Sequence, residues 1–289
     1  MSEIALHTFQ SQDPETPFAP TWDYIIGCKQ TDIDTNELAK VILEQEKKLL
    51  EQYPDGSFEY TNYSDGSTGL GKDSLTSRYS FYNLLEWDYP ICKQLYENIS
   101  IFHNEYLYGT IGQKKRKYKS LSGLLQIRCW ANVMRKGDKI KKHAHSSHPW
   151  TYLSGHFCVQ CENTSTNYYH TYTGNPYPIE NNPGQMTIFP TWLPHDTDKH
   201  EGDSERITIA FDIVCDNEKQ FKHGFGKDPL LSLTKCDPSG IIVFLSIGTT
   251  PTIFSLAGSK NASLFKDLLP IKSFFLLNIP SRERSEGIT

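Results

Sequence analysis

The sequence predicts a mainly β domain preceded by helices, and three observations carry that expectation. After residue 121 the chain breaks into short segments, LLQIRCWANVM, YLSGHFCVQC, TNYYHTYT, GQMTIFPTW and ERITIAFDIV. They are rich in β-branched and aromatic residues and punctuated by Gly, Pro, Asn and Asp. The last of them alternates: Ile207, Ile209, Phe211 and Ile213 interleave with Arg206, Thr208, Ala210 and Asp212, period 2 with one apolar face. Several such strands within about 100 residues argue for a sandwich or barrel. Upstream, by contrast, the apolar period is helical.

The elements follow in order. The first 20 residues hold three prolines and little periodicity. Residues 35–53, TNELAKVILEQEKKLLEQY, place Leu38, Val41, Ile42, Leu49 and Leu50 near one helical stripe with charges opposite. Asp34 or Thr35 is positioned to cap that helix, and Glu37 suits its first turn. Residues 54–78 read as turns. A second helix is expected over about 89–106, starting at or near Pro90. The organisation expected is a helical and loop region at 1–120 that supports a β core at 121–216, with an extension of unknown role at 217–289. With 289 residues the chain is long enough for a real core.

Composition excludes several function classes. The net charge is −5, so a general affinity for nucleic-acid phosphates is not expected. The one basic run, KKRKYK at 114–119, reads as a solvated loop. Seven scattered cysteines suggest no disulfide framework and point to a reducing cytoplasm. Cys158 and Cys161 form a CxxC without a second pair; on a strand the odd step sends them to opposite faces, so they read as packing residues. MSEIALHTFQ has no basic n-region or apolar core, so no signal peptide is expected. Residues 238–259 are uncharged, but Pro251 and the Ser, Thr and Gly content argue against a membrane span.

Chemistry concentrates in KKHAHSSHPW at 141–150. His143 and His145 are two apart, so on an extended chain both reach the same side. His195 lies 50 residues beyond His145, after the strand GQMTIFP and a Pro-bracketed turn. A local pair plus one distant ligand builds a three-ligand face and leaves the other face open. Arg206 follows His195 by 11 residues, at the start of the alternating strand. Its planar guanidinium suits a carboxylate, and Thr208 shares its face.

The ordered set H-x-H, YLSG, FPTWLPH and ERITIAF resembles the iron(II)- and 2-oxoglutarate-dependent oxygenases, and more narrowly those of marine phages and bacteria. The likeness covers roughly residues 121–216. It implies a double-stranded β-helix, a jelly-roll barrel. It implies Fe(II) held by His143, the residue at 145 and His195, and 2-oxoglutarate whose far carboxylate pairs with Arg206 and Thr208. O2 and an unknown substrate complete the reaction, a hydroxylation that releases succinate and CO2. The location implied is the cytoplasm, the host's if the chain is phage-encoded. Most such enzymes carry Asp or Glu where this chain has His145, so here the ligands are three imidazoles. His148 is an alternative ligand.

Plainer readings stand beside these. Asp196 and Asp198 read as turn residues, or as partners that orient His195. Trp130 reads as core packing, and Asn132 on the same strand as a cavity residue able to contact the oxo acid. Tyr168, Tyr169, Tyr172 and Tyr177 surround a loop that covers the site or simply closes the barrel end. Rival functions are a cupin-like three-histidine metalloprotein without 2-oxoglutarate, a non-catalytic β-barrel that binds a protein or sugar, and a phage accessory protein with a degenerate site.

Overall fold

The computed structural model describes residues 3–9, 24–111, 125–145, 152–215, 231–233, 241–247 and 250–256. His148, the 114–119 basic run, the three early prolines and most of the tail lie outside the described residues. The chain divides into two compact units, residues 1–236 and 237–289. In the second, strands Ile241–Ile247 and Thr250–Leu256 pair antiparallel.

The first unit is built on strands β1 (Ala5–Phe9), β2 (Tyr24–Gln30), β3 (Leu125–Met134), β4 (Leu153–Gln160), β5 (Ser165–Tyr169), β6 (Pro176–Glu180), β7 (Gln185–Pro190), β8 (His195–Thr197), β9 (Arg206–Cys215) and β10 (Leu231–Leu233), with helices α1 (Thr35–Gln52), α2 (Phe58–Asn62) and α3 (Pro90–Ile111). A large sheet runs β1-β2-β7-β4-β9-β3-β10 and a small one β6-β5-β8. From β3 onward the chain crosses back and forth. A bridge between His143 and His195 extends the small sheet beyond β8. The chain then returns to the large sheet at β4, crosses to the small sheet for β5 and β6, returns at β7, crosses at β8, and finishes between β4 and β3 at β9. This is the alternation of a double-stranded β-helix, made of two facing sheets that are not closed into one barrel.

Alternation in β9 decides which side meets what. Ile207, Ile209, Phe211 and Ile213 join Leu38, Val41 and Ile42 of α1 and Leu95, Ile99 and Phe102 of α3 in one core. Arg206, Thr208, Ala210 and Asp212 point the other way, between the sheets, and are also buried. The polar face of this strand is therefore a cavity wall. Gly155 of β4 is required by the same packing: a Cβ there would collide with the Phe211 ring and the Thr187 carbonyl.

Helix α1 is capped by Asp34, whose carboxylate accepts from the amides of Asn36 and Glu37 at 3.0 and 3.1 Å. Helix α3 is fixed to β2 by Tyr106, which donates to the Ile25 carbonyl at 2.8 Å, and by Lys29 on Glu105 at 2.7 and 2.6 Å. It runs five residues past the expected end at 106.

Several elements depart from the sequence expectation. Residues 54–78 are not all turns, since they contain α2 and a 3-10 turn at Leu75–Arg78. Strands β1, β2, β6 and β8 have no counterpart in it. β6 carries two prolines and is the edge of the small sheet, where a missing N–H costs nothing. Cys158 and Cys161 do not diverge. The register of β4 against β9 shifts between Cys158 and Gln160, a bulge that cancels the odd step and brings the two buried thiols side by side.

Burial also sets an acid sensitivity. His103 of α3 is 1% exposed, with Nε2 2.8 Å from the Tyr152 hydroxyl, and burial pushes its imidazole down to about 4. The unfolded chain therefore binds a proton below about 6.5 that the folded chain refuses until about 4. More protons in the unfolded state mean that stability rises with pH, so it is lost as pH falls through this window. For His103 alone the loss approaches roughly 1.4 kcal/mol per pH unit. The urea midpoint of the metal-free protein should drop between pH 7 and pH 5. An unchanged midpoint would contradict the assignment.

Candidate metal centre

The two sheets bring His143, His145 and His195 together. Backbone amide and carbonyl of His143 pair with those of His195 at 3.0 and 2.9 Å, and the His145 amide donates to the Thr191 carbonyl at 3.1 Å. These bonds hold the histidine segment against the start of β8. The three ring centroids are 4.5 to 5.2 Å apart, and one ligand nitrogen from each ring lies within 4.8 Å of the others.

The remaining nitrogens are held from behind. His143 Nδ1 is 2.8 Å from the Lys141 carbonyl and His195 Nδ1 is 2.9 Å from the Leu193 carbonyl. A carbonyl oxygen only accepts, so each Nδ1 carries the proton and each Nε2 keeps its lone pair. His145 Nδ1 donates to Asp212 Oδ1 at 2.5 Å. Burial first, then the neighbouring imidazoles, push His143 down to about 4 and His195 well below its ordinary value. Three imidazoles converging on one point are a donor set that fits iron, zinc, copper or nickel.

Asp212 replaces neither histidine but supports one. Its carboxylate also accepts from Ser154 Oγ at 2.6 Å and from Arg128 Nη2 at 2.8 Å. Burial alone would raise its pKa; His145 and Arg128 outweigh that and hold the carboxyl far below the usual range. The anionic charge that a carboxylate ligand would bring thus sits one hydrogen bond behind His145. Sequence reasoning does not single this residue out, although a signal is present: Asp212 is the one acid inside the alternating strand, on the face of Arg206 and Thr208.

The same cavity is lined by Arg206, Thr208 and Asn132. Arg206 is 1% exposed. Its Nε donates to Thr164 Oγ1 at 3.1 Å, Nη1 approaches only the Met134 sulfur at 3.6 Å, and Nη2 donates to the Asn181 amide oxygen at 2.8 Å. The Cys161 thiol lies beside the guanidinium as well, its pKa lowered by its hydrogen bond to Cys158 and by Arg206, and among the described residues no Asp or Glu pairs with Arg206. Asp203, three residues before Arg206, pairs instead with Lys136 at 2.6 Å. Asn132 accepts from Thr76 Oγ1 at 2.7 Å and faces Thr208 across the β3–β9 ladder.

The other expected residues fall as follows. Asp196 holds Asn167 Nδ2 at 3.0 Å and the Tyr169 hydroxyl at 2.8 Å, and Asp198 accepts from the Ser165 amide at 2.8 Å. Both brace β5 rather than orient His195. Trp130 both packs against Tyr79 and lines the cavity, with its ring 5.8 Å from His145. Tyr168 and Tyr169 of β5 and Tyr177 of β6 flank the 170–175 turn, and Tyr168 is buried beside Phe189 and His195. Tyr172 is exposed.

Comparison with known proteins falls on this same site. Residues 170–212, which include His195, Arg206, Thr208 and Asp212, match the family model described as "Putative 2OG-Fe(II) oxygenase". The match covers that segment alone, well under half of the chain. No curated protein matches the chain. Similar solved structures include the carbocyclase SnoK from nogalamycin biosynthesis (10% identity, TM-score 0.44, covering 72% of this chain and 92% of that one). They also include the viral collagen prolyl hydroxylase of Paramecium Bursaria Chlorella virus-1 (9%, TM-score 0.41, 66% and 96%) and a Pseudomonas putida prolyl-4-hydroxylase (13%, TM-score 0.37, 46% and 69%).

Proposed function

We propose that this chain is a non-haem Fe(II)- and 2-oxoglutarate-dependent dioxygenase that hydroxylates its substrate and releases succinate and CO2. The observation that carries the reading is one cavity with a three-imidazole face at one end and, at the other, a buried guanidinium that no Asp or Glu pairs among the described residues. A buried cation of this kind asks for an anion. A dicarboxylic oxo acid supplies one, with its other end free to chelate a metal.

In this reading His143, His145 and His195 hold the iron through Nε2. Oxygen activation is the chemistry that iron supplies when bound. Lys141, Leu193 and Asp212 fix the imidazole tautomers and ring angles. Arg206 and Thr208 orient the oxo acid by its distal carboxylate, and Asn132, steadied by Thr76, borders the same space. The facing sheets exclude water around these groups, which strengthens each charged contact. Residues 121–216 form the oxygenase core and residues 1–120 support it. Among the described residues no helix is long and apolar enough to cross a membrane. The buried free thiols Cys28, Cys92, Cys129, Cys158 and Cys161 suit a reducing cytoplasm.

The test is an anaerobic titration of the Fe(II)-loaded protein with 2-oxoglutarate. A visible metal-to-ligand charge-transfer band is expected, lost in His143→Ala and in His195→Ala. Iron binding without such a band would refute the oxo-acid reading, and absence of iron binding would refute the metal centre itself.

A further inference from the structure

Side chains cross the cavity face of the large sheet in rows. The register places Arg128, Asp212 and Ser154 in one row, then Trp130, Ala210 and His156, then Asn132, Thr208 and Cys158, and last Met134 and Arg206. His145 touches the first row through Asp212, and the Arg206 guanidinium ends the last. His156 stands between them and lines the same cavity. In the sequence it has no companion at metal-ligand spacing, so nothing local marks it.

His156 is not satisfied by the protein. Its Nδ1 faces the Tyr168 hydroxyl at 3.5 Å, while Nε2 is buried with no hydrogen-bond partner. A buried ring nitrogen left without a partner is rare and needs a reason. The Asn181 side chain lies beside the ring and interacts with it, while Nε2 keeps no partner of hydrogen-bond geometry. Burial, and then the neighbouring Arg206, push the imidazole down to about 3, so it is neutral and carries one N–H. With Nδ1 turned to accept from Tyr168, that N–H is on Nε2. A neutral imidazole with an unpartnered Nε2 thus lines the cavity next to a cation that no Asp or Glu pairs among the described residues.

We propose that His156 is a further co-substrate-binding residue, its Nε2–H donating to the distal carboxylate of the bound oxo acid beside Arg206 and Thr208. The inference rests on the oxo-acid reading above. A carboxylate has lone pairs for three such donors, so His156 shares the anion with Arg206 rather than competing for it.

The experiment compares two acids on the anaerobic Fe(II) protein: 2-oxoglutarate, and 2-oxobutanoate, which lacks the distal carboxylate. His156→Leu should weaken 2-oxoglutarate by about 10-fold or more and leave 2-oxobutanoate unchanged. His156→Gln, which returns an amide donor at a similar reach, should recover part of the loss. Equal weakening of both acids, or of neither, overturns the assignment while leaving the oxo-acid reading intact. Wild-type protein that binds neither acid overturns both. Should His156→Leu fail to fold, proton–nitrogen NMR of the wild-type imidazole decides the matter. The Nε2–H signal should become protected from exchange with 2-oxoglutarate and not with 2-oxobutanoate; an identical response to the two acids overturns the proposal.

Discussion

Arg206→Met is expected to abolish useful 2-oxoglutarate binding while metal binding and the fold survive. The guanidinium is 1% exposed, and among the described residues no Asp or Glu pairs with it. Methionine removes the charge and keeps much of the length. Loss of a desolvated, charge-assisted carboxylate contact costs about 2–5 kcal/mol, or roughly 30-fold to several thousand-fold in Kd. Stability without the acid should move the other way or stay level, because removing a buried cation that no Asp or Glu pairs relieves a desolvation cost. Two measurements check this together. Urea melts of the acid-free protein should show Arg206→Met no less stable than wild type, to within about 1 kcal/mol. The added stability that 2-oxoglutarate gives wild type should vanish in the variant. A variant that keeps wild-type affinity would show that the acid binds elsewhere.

Asp212 should produce the second large effect, and its two substitutions should separate two roles. Asp212→Asn keeps size but gives up the charge that holds His145 Nδ1 at 2.5 Å. Metal affinity should fall by about 10- to 100-fold, as is usual for the carboxylate behind a ligating histidine. Both substitutions take the anion away from Arg128, which it meets at 2.8 Å in a buried pair, and should cost about 3–5 kcal/mol of stability; Asp212→Ala also removes the side-chain oxygen that His145 and Ser154 donate to, and should weaken the metal further. Metal titrations and denaturant melts on both variants check the split. Asp212→Asn with unchanged metal affinity would mean that the Lys141 and Leu193 carbonyls alone set the imidazole geometry.

Much of this site is readable along the chain because its elements are periodic. Period 2 in β9 is enough to put Arg206 and Thr208 on one face, and the H-x-H spacing does the same for His143 and His145. The features that sequence does not announce depend on pairing. Strand β8 is three residues long and exists because His143 and Tyr168 flank it. The bulge after Cys158 follows from the register of β4 on β9, which no local pattern signals. Asp196 and Asp198, beside His195 in sequence, turn to β5, while the residue that supports the metal face comes from 67 positions beyond His145.

Local spacing and residue chemistry are enough for the β-rich class, for helix α1 with a cap at Asp34 or Thr35, and for the candidate ligands and guanidinium. Only the tertiary structure decided that the polar face of β9 is buried rather than solvated. Sheet pairing also makes Asp212 the charge behind His145 and buries His156 Nε2 without a partner of hydrogen-bond geometry. The physical reason is the second sheet. A strand's alternation states that it has two faces, but what covers each face is set by partners tens of residues away.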